Sequence, residues 1–211
     1  MSMEIRKNAT LAAEMIPAFQ KRQMQAFYCA DAAQGRELIL SMMPHGSSIG
    51  WGGSKTLEQI GVMDAIREGG YRLFDRDKAV TQEDRREVYG AIQNADFFLM
   101  GSNAVTRTGE LINVDGRSDR VSFLCYGPRR VIVAVGMNKV EPDISAGLER
   151  IWRIAGPMNA KKLGRNTGCQ TTGICNHCLS PECLCSNIVI TRRSAFAGRI
   201  QVVLIDEELG F

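Results

Sequence analysis

Five of the seven cysteines of this chain fall within seventeen residues, from Cys169 to Cys185. The spacing Cys169-x5-Cys175-x2-Cys178-x6-Cys185, with Gly173 and Pro181 turning the chain between them, lets four thiolates converge on one soft cation or cluster. Thiolates are soft donors, and both tetrahedral zinc and an iron-sulfur cluster accept four of them. Zinc sites usually present two C-x2-C hairpins, whereas here only Cys175 and Cys178 have that spacing. The pattern therefore favours a [4Fe-4S] cluster on Cys169, Cys175, Cys178 and Cys185, with zinc as the alternative. Cys183 is the spare thiol and an alternative to Cys185, and His177 is read as an exposed loop histidine outside the set.

A second chemical feature is the glycine-rich run Gly50-Trp51-Gly52-Gly53-Ser54-Lys55-Thr56, which follows a short strand candidate at 47–51 and precedes a helix face marked by Leu57, Ile60, Met63 and Ile66. Backbone N–H groups of Gly52 and Gly53, the Ser54 and Thr56 hydroxyls and the Lys55 ammonium form a cradle for a small anion. Thr56 and Gln59 have capping-box spacing, which starts the helix near Thr56. Trp51 is read as a core residue more than a stacking wall.

The elements that must position these features alternate. An N-terminal helical cover spans about 4–23, with Leu11, Met15 and Phe19 on one face and a bend or break at Pro17. A short apolar run at 26–29, containing a buried Cys29, leads to a helix at 32–43. Strands at 71–74, 97–100 and 131–135 and a helix at 82–95 follow. The segments 110–114 and 120–125 around Asp115-Gly116 read as a hairpin or return strand. A long helix starts at Pro142 and turns Ile144, Leu148, Ile151, Trp152 and Ala155 inward, leaving Glu149, Arg150 and Arg153 on its polar face. Strands at 188–190 and 200–205 close the chain. Short apolar strands alternating with helices of ten to fifteen residues give an α/β fold with a mainly parallel sheet covered by helices on both faces, in a single domain over 1–211. Ligands of such sheets gather at the strand carboxyl ends. That places Asn103 and Thr106, with Arg107 and Glu110, after one strand and Asn138 and Lys139 after another. The latter pair can supply an amide donor and a cation to an acidic substrate.

The blocks 47–57, Asn113-Val114-Asp115-Gly116, Gly136-Met137-Asn138-Lys139, Pro157-Met158-Asn159-Ala160, Thr172-Gly173-Ile174-Cys175 and 206–211 together, in this order, resemble the lactate-utilisation (LUD) domain family from about residue 10 onward. The resemblance implies a fold like that of the ribose-phosphate isomerase, glucosamine-phosphate isomerase and CoA-transferase superfamily. It implies a role in oxidising L-lactate as one component of a system with iron-sulfur proteins. It also implies that the glycine turn meets substrate anions and that Glu110 sits where the superfamily builds its active pocket, as a general base or nucleophile.

A lone [4Fe-4S] centre moves single electrons, so the expected protein is a subunit or accessory protein in redox metabolism of a small hydroxy acid such as lactate. Its partners are then a small anionic ligand and iron-sulfur or flavin oxidoreductase subunits. The alternatives are a sugar-phosphate or CoA-ester isomerase, hydrolase or transferase with structural zinc, and a ligand- or redox-sensing regulatory module. The net charge of +3 is spread without a basic block, which argues against nucleic acid. No apolar run approaches the roughly 20 residues that span a bilayer, and the N-terminus lacks the apolar core of a signal peptide, so a cytoplasmic address is expected and no membrane. A homodimer is compatible with all of this. In a reducing compartment, clustered cysteines, here in an odd total, are metal ligands or redox centres before they are disulfides.

Overall fold

The computed structural model describes residues 3–211. The elements, in order, are α1 (Met3–Lys21), β1 (Gln25–Cys29), α2 (Ala32–Ser41), β2 (Ser48–Trp51), α3 (Lys55–Gln59), α4 (Val62–Glu68), β3 (Arg72–Phe74), α5 (Gln82–Gln93), β4 (Phe97–Gly101), β5 (Ala104–Thr106), β6 (Leu111–Asp115) and α6 (Asp119–Cys125). There follow β7 (Arg130–Gly136), β8 (Val140–Glu141), α7 (Ile144–Arg150), a π-helical turn (Ile151–Ala155), α8 (Gly156–Lys162), α9 (Gly168–Thr172), β9 (Asn187–Thr191) and β10 (Ile200–Ile205).

Six strands in the order β1-β10-β7-β4-β2-β3 form one sheet, and every pairing in it is parallel. Alternation along each strand divides its side chains between two cores. In β7, Val131, Val133 and Val135 face the layer of α1, α5 and α6, while Ile132 and Ala134 face α2, α3 and α4. Both faces are thus covered, which is why the strands read as unbroken apolar runs. The fold is α/β, a parallel sheet flanked by helices.

A second sheet, β8-β5-β6-β9, is mixed, with β6 antiparallel to both β5 and β9. Its Ile112 and Val114 pack with Ala104 against Ile151 and Ala155 of the π turn. The two terminal strands lie in different sheets: β10 sits between β1 and β7 in the parallel sheet, and β9 joins β6 at an edge of the second.

Four local expectations change. The segment 120–125 is the helix α6, whose Val121, Phe123 and Leu124 are buried, and the hairpin is instead β5–β6. Helix α1 continues unbroken past Pro17. Pro17 is exposed, so the carbonyl it leaves unbonded reaches water, while Ala12, Met15 and Phe19 bury completely on the other side. The helix after the glycine run starts at Lys55, capped by Ser54, whose Oγ accepts from the Leu57 amide at 3.3 Å, and not by Thr56. The long helix is capped by Asp143 and widens into the π turn just before Pro157, which has no N–H to continue a regular ladder.

Gly136 ends β7 where the C-terminal segment crosses it. An added Cβ would lie 2.7 Å from the Glu207 carbonyl oxygen and 2.8 Å from the Leu209 amide nitrogen. Because both are backbone, Gly136→Ala is expected to lower stability by about 1–3 kcal/mol in urea unfolding, with the 206–211 segment more open to proteolysis than in the wild type.

Candidate functional site

A cavity of about 360 Å³ opens at the carboxyl ends of β2, β4 and β7, where open α/β sheets place their ligands. Gly53, Ser54 and Lys55 contribute from the β2–α3 turn, Gly101, Ser102 and Asn103 from the end of β4, and Lys139 from the turn after β7. The second sheet adds Val114, Asp115 and Gly116, and the helical layer adds Ala155, Gly156, Asn159, Lys162 and Arg165. Leu184 and Cys185 complete one wall, and Gly210 and Phe211 another.

Of the residues singled out by sequence, Gly53, Ser54, Lys55, Asn103, Lys139 and Cys185 reach this cavity. The others lie behind it. Thr56 is buried and accepts a hydrogen bond from Lys139 Nζ at 3.0 Å. Asn138 Oδ1 accepts from the Leu209 amide at 3.1 Å, so this side chain fastens the C-terminal segment. Gly52 packs against Arg120, where an added Cβ would lie 2.8 Å from Cγ. Trp51 is buried and donates to Asp77 at 3.2 Å.

Thr106 and Glu110 form a separate buried group. The Glu110 carboxylate pairs with Arg22 at the end of α1 and accepts from Thr106 and, at 2.6 Å, from Thr108. Burial would raise its pKa, but the two threonine hydroxyls and the Arg22 charge hold it below the usual carboxylate value. The geometry makes Glu110 the partner of Arg22, on no wall of the cavity.

Several cavity groups escaped the sequence reading. Arg120, assigned to a strand, projects from α6 and donates to the Gly101 carbonyl at 3.0 Å, the Val114 carbonyl at 2.7 Å, Asn113 Oδ1 at 2.6 Å and Asn103 Oδ1 at 3.1 Å. Asp115 stands 3.5 Å away as its counter-charge. Asp119 joins Arg76 at 3.5 Å and Arg117 at 3.3 Å and accepts from Tyr89 at 2.6 Å. Arg150, assigned to a solvated face, is buried and donates to the Asn103 carbonyl at 2.8 Å, with Glu141 at 3.9 Å. Lys55 and Lys162 share Glu58, at 3.2 and 3.4 Å. A signal was present for Arg117, Asp119 and Arg120 in their density beside Asp115-Gly116, but the wrong element hid it.

The cysteine loop lies against this wall. Cys169 is buried beside Thr167, the Cys175 amide donates to the Trp152 carbonyl at 2.9 Å, and the His177 ring meets Trp152 edge-on at 4.7 Å. Burial, followed by the neighbouring Cys183, Cys175 and Cys169, pushes the Cys185 thiol up to about 12. Cys183 is also raised, by burial and by its contacts with Cys178 and Cys175. The five sulfurs therefore share one neighbourhood, with Cys183 interacting with both Cys178 and Cys185. All are free thiols, and among the described residues no group of three or more His, Cys, Asp or Glu side chains is arranged to hold a metal ion. The donor chemistry fits a soft metal or cluster, and closing the thiols onto one would require the loop to tighten and protons to leave.

Lys139 is a strongly perturbed base of the cavity. Burial, then the charges of Arg150 and Arg120, bring its pKa from 10.5 down to about 7. The unfolded chain therefore binds more protons than the folded one between those values, and the site's penalty, full below about pH 7, is relieved as pH rises toward 10.5. Wild-type stability is expected to gain up to about 1.4 kcal/mol per pH unit through this window relative to Lys139→Met, measured by urea unfolding across the range. Glu110 also gains stability with rising pH, but in the acid range, because its lowered pKa makes the ionised carboxylate the favoured form in the fold. Glu110→Gln is expected to lose about 2 kcal/mol at neutral pH, and the difference should shrink as acid titrates the carboxylate through its lowered pKa.

The LUD domain matches residues 12–205 of the chain. A crystal structure of a DUF162 family protein from Deinococcus radiodurans superposes with a TM-score of 0.55 at 11% identity, covering 95% of this chain and 98% of that one. The crystal structure of eIF2B delta from Chaetomium thermophilum covers 66% of this chain and 54% of its own at 14% identity, with a TM-score of 0.35. No curated protein matches significantly. Among the described residues no helix is long and apolar enough to cross a membrane. With the match spanning nearly the whole α/β domain, the chain belongs to the LUD domain family, a family linked to lactate utilisation.

Proposed function

We propose that this protein is a redox accessory subunit that holds a small hydroxy acid or its oxo product, such as lactate or pyruvate, beside a cysteine-ligated cluster. The observation that carries the reading is Cys185, which belongs both to the thiol group and to the wall of the cationic cavity. A redox centre on that thiol and an anion in that cavity would share a boundary. The family's link to lactate utilisation supports the same substrate class.

The chain's own residues supply binding and orientation. Lys55, Lys162 and Arg165 present cations to the cavity for a carboxylate, and Ser54 and Asn103 line it with polar groups that can orient a hydroxyl. Arg120, held by four acceptors, keeps its guanidinium at the wall without leaving a buried donor unmatched. Cys169, Cys175, Cys178 and Cys185 would hold a [4Fe-4S] cluster, with Cys183 in reach. Such a cluster supplies one-electron transfer, so an iron-sulfur or flavin oxidoreductase partner performs the two-electron oxidation.

Protein purified without oxygen is expected to carry iron and acid-labile sulfide together with broad visible absorption, all lost in Cys175→Ala. L-lactate or pyruvate should raise its melting temperature. Colourless protein with stoichiometric zinc and no iron after anaerobic reconstitution would overturn the redox role.

A further inference from the structure

Charges at the cavity are matched with one exception. Asp119 answers Arg76 and Arg117, Asp115 answers Arg120, Glu141 answers Arg150, and Glu58 answers Lys55 and Lys162. Arg165, on the exposed rim, is solvated. Lys139 has neither solvent nor counter-charge: it is 4% exposed, and among the described residues no carboxylate lies within ion-pair distance. Its Nζ hydrogen-bonds Thr56 Oγ1, and the backbone of Gly210 passes so close that an added Cβ there would lie 2.7 Å from both atoms. The amine is thereby fenced on the side of the C-terminal segment, and its residue lines the cavity.

An anchor for an anion works best as a permanent charge, and this site disfavours the charge. Burial and two neighbouring guanidiniums, Arg150 and Arg120, leave a large fraction of the amine unprotonated near neutrality. A desolvated lysine beside other cations is the arrangement that turns an ammonium into a nucleophile.

We propose that Lys139 is a carbonyl-condensing residue, forming an imine with a 2-oxo acid whose carboxylate is held by the cavity's cations. The inference rests on the reading that the cavity takes a hydroxy acid and its oxo product. The Nζ lone pair attacks the carbonyl carbon, the carbonyl π pair moves to oxygen, and a proton passes from nitrogen to that oxygen to give the carbinolamine. The carbinolamine nitrogen lone pair then forms the C=N bond as the hydroxyl, protonated by solvent water, leaves as water, and the N–H proton of the resulting iminium returns to solvent. Amine and ketone become imine and water, and nothing is oxidised or reduced. The Thr56 hydroxyl orients Nζ before attack.

The test uses the full chain with pyruvate and sodium borohydride, which reduces an imine to a stable secondary amine, followed by intact mass and peptide mapping. One carboxyethyl group per chain, on Lys139, is expected, at roughly tenfold above the labelling of Lys139→Arg or Lys139→Met, whose folding is checked by circular dichroism. Melting temperatures with L-lactate, which has no carbonyl, and with pyruvate separate imine formation from anion binding. Stabilisation by both without an adduct overturns the imine and leaves the anion site standing. Equal labelling of wild type and variants overturns the imine too, because the reactive amines are then on the surface. Stabilisation by neither ligand overturns both.

Discussion

Arg120 is the interaction on which the rest of the site depends. Its guanidinium reaches the last residue of β4, the side chains of Asn103 and Asn113, and the carbonyl of Val114 in β6. These belong to two sheets, so one buried side chain from α6 sets the seam between them. A planar fork with five donors suits this task, and a lysine would leave carbonyls unmatched. Burial lowers its pKa, and the Asp115 and Asp119 charges oppose that loss. The cavity exists because the chain leaves the parallel sheet at Gly101 and is held there instead of collapsing over the strand ends.

Around that seam the domain gathers more positive charge than a stable core would choose. Arg150 and Lys139 are both buried; burial lowers the pKa of each, and the charges of Arg150 and Arg120 lower that of Lys139 further. Surplus buried charge with incomplete counter-charge is weak support for stability and a common property of ligand sites. The cysteine loop is tied to the same seam. Leu184 lies within 3.3 Å of a Cβ added at Gly116, and Cys185 packs beside Ile151 and Ala155 before the chain enters β9. Events at the thiols therefore have a short mechanical route to the cavity wall through β9 and the π turn.

Much of the parallel sheet could be read from the chain. Phe97 to Gly101 and Val131 to Val135 are continuous apolar runs because both faces are covered, whereas a half-exposed strand would alternate with polar residues. The run Asp119 to Cys125 was harder. Its Val121, Phe123 and Leu124 fit a strand or one face of a helix, and only packing of Phe123 on Phe98, at 5.0 Å, selects the helix. Arg150 looked solvated because helical periodicity put it on the polar face, whereas the carbonyls of Asn103 and Asn138 and the Glu141 carboxylate of the second sheet meet it there. The spacing of the cysteines grouped four of them, but Cys183 enters the group through the fold of the loop and not through its spacing.

Residue order alone established the α/β alternation, the glycine turn after β2 and the grouping of the cysteines, because each is written in periodicity or in spacing over a few tens of residues; the family resemblance rested on ordered blocks spread from residue 47 to residue 211. Only the tertiary structure decided that Lys139 faces the cavity without a carboxylate, that Glu110 turns away to Arg22, and that Cys185 joins the loop to the cavity. Those facts concern which charges share a desolvated space, and residues as distant as Arg22 and Glu110, or Thr56 and Lys139, meet there through the packing of separate elements. Burial and counter-charge are properties of that packing, and local sequence patterns carry no record of them.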